Sequence, residues 1–238
     1  MDQKSHIPEN LYHVLLTTSH IGKNPNNVIE RLRVPGTYTS LLQAKVAAHS
    51  CLYEAGYERE FFETYEVTPG HVEENGPPTT MSTSTAGAGG VIVHATASDG
   101  TTFRVRIRTT RNDKGFPASD LSDGRVSVPL YYVIQVAVEY DGDEGGSLVR
   151  EIDVQGVLMS YSEARKFANT VLLSPEDGIT KDSFAEYSEA GPDEKDCGYG
   201  ENVVIHAASD NGTNYLVNVV KTQELRAVGV AEAAMRIL

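Results

Sequence analysis

The chain has 238 residues of ordinary globular composition, 40% hydrophobic and 22% charged, which excludes a wholly disordered, collagen-like or disulfide-scaffold protein. Its net charge is −13, and because phosphate repels an acidic chain, nucleic acid and anionic membrane are disfavoured as partners. No run approaches the roughly 20 apolar residues that span a bilayer, and polar Met1–Asn10 lacks the apolar core of a secretory signal.

The acidity is uneven: residues 1–119 hold 12 acidic and 11 basic side chains, whereas residues 120–238 hold 21 and 9. The two cysteines, Cys51 and Cys197, are too few for a disulfide framework and fit a reducing compartment, so the expected location is cytoplasmic, with the nucleus left open.

In chain order, residues 1–10 read as a polar tail. A β-rich run over Leu11–Thr18 leads through Asn24-Pro25-Asn26-Asn27 to a short strand, Val28–Val34, which Gly36 is expected to end. A helix of about four turns follows over Thr39–Glu54, with Thr39 or Ser40 as its cap and Leu42, Val46 and Cys51 or Leu52 as its core stripe. A third strand covers Phe62–Val67. The loop at residues 68–90, with Gly-Pro-Pro, a Ser/Thr run and Gly87-Ala88-Gly89-Gly90, cannot pack a core and is expected to be mobile. A hairpin then turns at Asp99-Gly100. Residues 112–129, rich in Gly, Pro, Ser and Asp, read as a linker.

The same order then recurs in residues 130–238. Strands are expected over Tyr131–Tyr140 and Leu148–Val154, a helix over Ser162–Leu173 capped by Ser162, and a strand over Phe184–Ser188. A second hairpin turns at Asn211-Gly212. Gln223–Leu238 completes the chain as a helix with Leu225, Val228, Met235 and Leu238 along one side. The clearest match is gapless: Val91–Phe103 lies over Val203–Tyr215, and Thr110 lies over Thr222. Asp-Gly and Asn-Gly at the same place suit a two-residue type I′ turn, whose central residues need positive φ. In that register His94 faces Val105 and His206 faces Val217. The expected fold is therefore α+β: two copies of a β-β-α-β-β-β unit (residues 11–111 and 130–238). Each forms an antiparallel sheet covered by a helix, and the two are related by a pseudo-two-fold.

Arg104, Arg106 and Arg108 alternate with Phe103, Val105 and Ile107, so their guanidinium groups leave one face of one strand, with Arg111 just beyond. Such a row can clamp carboxylates or phosphates through planar forks of donors. His94 and His206 are the histidines retained at matching positions, either as core imidazoles or at an interface or pocket between the units. No zinc spacing, P-loop, dinucleotide fingerprint or nucleophile elbow occurs. The loops Asp141–Glu144 and Asp193–Asp196 lack the ligand spacing of a calcium loop. No catalytic residue, metal site or cofactor is assigned. A double-stranded-RNA-binding domain shares the order helix, three strands, helix, but it grips phosphate with lysines where this chain has Thr222-Gln223-Glu224-Leu225. The leading expectation is a non-enzymatic module binding a protein or an anionic small ligand at the arginine row, the 68–90 loop or a cleft between units. The alternatives are a small-molecule enzyme and a self-assembling structural protein, with homo-oligomerisation open.

Overall fold

The computed structural model describes residues 7–20, 30–68, 90–117, 123–140 and 148–223. Residues 69–89 of the loop expected to be mobile, the acidic run at 141–147 and residues 224–238 of the expected C-terminal helix lie outside the described residues.

The described elements are β1 (Asn10–His20), β2 (Arg31–Tyr38), α1 (Leu41–Glu54), β3 (Phe62–Val67), β4 (Val91–Ala97) and β5 (Thr101–Arg111), then β6 (Tyr131–Tyr140), β7 (Leu148–Leu158), α2 (Tyr161–Ala168), β8 (Glu186–Glu189), β9 (Val203–Ala208) and β10 (Asn214–Lys221). They form two five-stranded antiparallel sheets, ordered β2-β1-β5-β4-β3 and β7-β6-β10-β9-β8. The chain divides into two compact units. Among described residues the first contains Ile7–His20, Val34–Ser127 and Gln223, and the second contains Glu30–Arg33 and Val128–Thr222. No helix among the described residues is long and apolar enough to cross a membrane.

In the first unit the alternation of β1, β4 and β5 sends Val14, Leu16, Val93, Ala95, Phe103 and Val105 to one face, where they form a buried cluster with α1. The helix meets them through Ala44, Ala48, Cys51 and Leu52. The expected core stripe is therefore only half right: Leu42 and Val46 are 69% and 57% exposed. Phe62 and Phe103 already fill the space over the sheet, edge-to-face at 5.5 Å, and the small-residue side of the helix is the one that can approach them. Tyr57 and Phe61 extend this aromatic cluster, with centroids 5.0 and 6.3 Å from Phe103.

In the second unit Ala164 and Ala168 of α2 pack on Val133, Ile205, Val217 and Val219. The cap is Ser160, not Ser162: its hydroxyl accepts from the Glu163 amide at 3.3 Å and donates to that residue's carboxylate at 2.9 Å. The helix ends at Ala168 rather than Leu173, because the chain beyond closes into i→i+3 turns at Thr170, Val171 and Leu173.

Gly36 does not stop its strand, and Gly156 in the second unit does not stop its own. β2 runs through Gly36 to Tyr38, and β7 runs through Gly156 to Leu158. At Gly156 an added Cβ would lie 2.5 Å from the Phe167 ring, so this glycine admits the helix against the strand. Part of the span read as a linker is also structured. Gly124 and Val126 hydrogen-bond Thr39 and Thr37, and Phe116 is buried while its amide donates to the Asn112 carboxamide at 2.8 Å.

Both hairpins turn where expected but through three residues, not two. Positive φ occurs at Gly100 (82°) and Gly212 (86°) but not at Asp99 or Asn211. The Gly100 amide donates to Ala97 O and the Gly212 amide to Ser209 O, both at 2.9 Å. Asp99 and Asn211 accept from the Thr101 and Thr213 amides through their side chains. This is a type I turn followed by a left-handed glycine, and the side-chain acceptor holds the preceding residue in ordinary backbone space. The longer turn moves the register by one, so His94 lies opposite Arg104 and His206 opposite Leu216. Val105 and Val217 instead pair with Val93 and Ile205, and the expected pairings are corrected accordingly.

Candidate functional site

The corrected register places His94 beside the arginines, on the face of the first sheet turned away from α1. β4 carries His94 there. Arg104, Arg106 and Arg108 alternate along β5, and Glu66 of β3 lies opposite His94 on its other side. The His94 side chain is 39% exposed, and its Nδ1 lies 3.9 Å from the Glu66 carboxylate. Its Nε2 is buried without a hydrogen-bond partner among the described residues. Burial is the first cause holding the imidazole below its ordinary titration range, and the neighbouring Arg104 charge is the second; Arg106 adds to them and Glu66 opposes them.

The arginines are not equivalent. Arg106 is buried and donates to the Thr17 hydroxyl at 3.0 Å. Arg108 lies against the backbone at Gly90, where an added Cβ would meet its guanidinium at 3.3 Å. Arg104 is half-buried and closest in register to His94. Arg111 falls on the opposite face by alternation, beside Glu9 at 3.6 Å with both side chains largely exposed. The structure thus brings His94, Arg104, Arg106 and Arg108 onto one face and leaves Arg111 off it.

His206 is a different kind of group. It is buried, its Nε2 lies 3.0 Å from the Asn214 Oδ1, and its ring stacks on Tyr199 with centroids 3.7 Å apart. Its Nδ1 is 3.9 Å from Glu186, whose carboxylate also accepts the Tyr199 hydroxyl. Both histidines therefore stand beside a glutamate, but only His94 has its ring open to solvent.

His13, which sequence reasoning did not single out, is the most perturbed imidazole among the described residues. It is fully buried between two hydroxyls, with Nδ1 2.8 Å from Thr37 and Nε2 2.8 Å from Thr110, and burial lowers its pKa to about 3. Its alternation with Leu11 and Leu15 was the available signal, since it shares their side of the strand.

The remaining candidates are structural. Cys51 and Cys197 are both free. Burial pushes the Cys51 thiol up to about 12 and raises that of Cys197, which is the reverse of an activated nucleophile. In the loop 191–198, Glu194 accepts from the Gly191 amide at 2.7 Å and Asp196 from the Gly198 amide at 3.1 Å, so these carboxylates cap their own turns. Among the described residues no three of His, Cys, Asp and Glu come together as metal ligands.

No protein-family model, curated protein or solved structure matches this chain.

Proposed function

We propose that this chain is a non-catalytic binding protein for an anionic small ligand, taken through a carboxylate or phosphate group at the His94–Arg104 face of the first sheet. The observation that carries this reading is the placement of Arg104 and Arg106 along β5 beside the half-exposed His94, which lies opposite Arg104 in the ladder. An anion there gains charge-assisted hydrogen bonds from guanidinium groups whose positions β5 already fixes. The test is an NMR titration of His94 in the presence of inorganic phosphate and of citrate. A bound anion favours the imidazolium, so the His94 titration midpoint should rise with anion concentration, and Arg104→Glu should abolish the rise. A midpoint that ignores both anions would remove the proposal.

We also infer that the two units are diverged copies of one β-β-α-β-β-β module, each with its helix over one sheet face. The shared strand order, the two three-residue hairpins and the glycines carried inside β2 and β7 support this reading. A cytoplasmic location is the reading that two free thiols fit.

A further inference from the structure

Beside the row that carries the proposed anion site, the first sheet holds a second row made wholly of hydroxyls. Across β3, β4, β5 and β1 the ladder aligns Glu66, His94, Arg104 and Thr17. Two residues along each strand it aligns Thr64, Thr96, Thr102 and Ser19. Directly opposed residues share a face, so all eight side chains stand on the side turned away from α1. Exposure falls across both rows: Thr64 and Glu66 are exposed, His94, Thr96 and Arg104 half-buried, and Thr102, Thr17 and Ser19 buried. Ser19 is 5% exposed, and neither its hydroxyl nor the His94 Nε2 has a hydrogen-bond partner among the described residues. A buried hydroxyl left unpaired is costly, and a ligand that pairs it removes that cost. In the second sheet the same ladder places around His206 hold Leu216 for Arg104, Val136 for Thr17, Ala208 for Thr96 and Val138 for Ser19. The cation and the hydroxyls are absent there together, as two parts of one site would be.

Resting on the anion reading above, we infer that the ligand is a sugar phosphate. Its phosphate meets Arg104 and His94, and its hydroxyls meet Thr96, Thr102 and Ser19. A phosphate group brings nearly two negative charges and three acceptor oxygens to the guanidinium and the imidazole. The two rows lie about 7 Å apart, the span from the phosphate of a hexose phosphate to the hydroxyls on the far side of its ring. A compact hydroxycarboxylate such as citrate, whose hydroxyl sits beside its carboxylates, reaches only one row at a time. Each of the three protein hydroxyls can both donate and accept, which matches sugar hydroxyls of the same kind.

Isothermal titration calorimetry of the full chain with glucose 6-phosphate, inorganic phosphate and gluconate tests this. Glucose 6-phosphate should bind about tenfold or more tighter than inorganic phosphate, the gain expected of two or three added hydrogen bonds. Ser19→Ala combined with Thr96→Val should reduce that preference to about one. The first change removes an unpaired hydroxyl and the second keeps a β-branched strand residue, so neither threatens folding. Equal wild-type affinities for the two phosphates overturn the inference and leave the anion reading standing, whereas binding of neither overturns both. Gluconate binding as tightly as glucose 6-phosphate also overturns it, as does a preference that survives the paired substitution.

Discussion

His13 of β1, opposite Arg108 on β5, and Tyr132 of β6, opposite Val220 on β10, are both fully buried, and each has a threonine hydroxyl in reach. His13 Nε2 is 2.8 Å from the Thr110 hydroxyl, and the Tyr132 hydroxyl is 3.3 Å from that of Thr222. Burial lowers the pKa of the His13 ring to about 3. His94 and His206 also diverge: Arg104 opposite the first leaves a cationic, half-open site, while Leu216 opposite the second accompanies an imidazole sealed under Tyr199. One strand order thus supports two chemistries, and the side chain across the ladder decides which.

The largest difference lies in the cores. Phe103 is fully buried among Tyr57, Phe61 and Phe62. Its counterpart Tyr215 is half-exposed and meets Phe184 at 6.3 Å. Phe103→Ala should cost about 3–5 kcal/mol, and Tyr215→Ala about half of that or less, by urea unfolding. Equal losses would show that the aromatic cluster does not distinguish the two units.

Acid comes next. Folding holds His13 neutral, with a pKa of about 3 against an ordinary 6.5, so below pH 6.5 the unfolded chain takes up a proton that the folded chain refuses. Stability is therefore complete above pH 6.5 and falls as the pH drops toward 3, by about 1.4 kcal/mol per pH unit from this residue. His13→Tyr imports the second unit's ring and should remove that share of the slope, whatever it does to stability at pH 7. A slope unchanged in the variant would place the acid sensitivity elsewhere.

Much of this architecture was legible in the sequence, because β5 alternates through Phe103–Arg108 and the Gly100 and Gly212 turns sit at a fixed offset. The misreadings came from effects that period and composition do not carry. Asp99-Gly100 is compatible with both a two-residue and a three-residue turn, and the choice was made by the Asp99 carboxylate bonding the Thr101 amide. That single extra residue turned His94 from Val105 toward Arg104. The helix α1 has apolar residues on two sides, and the side that packed was decided by the bulk of Phe62 and Phe103 rather than by hydrophobicity. The arginine row was visible as alternation, but Arg106 donating to Thr17 depends on a pairing with β1 from 89 residues away.

The smallest expected effect marks where the two units agree. Gly100 and Gly212 hold φ of 82° and 86°, and an added Cβ would meet nothing within 4 Å at either. A methyl group there costs only backbone strain, because no neighbour has to move. Gly100→Ala and Gly212→Ala should each destabilise by about 1 kcal/mol, alike within error. Asn at either position should cost less, since its side chain tolerates the left-handed region. Thermal unfolding of the four variants measures both statements. If the two alanine variants differ while the two asparagine variants agree, the hairpins differ in packing rather than in backbone, and the correspondence between the units does not extend to their turns.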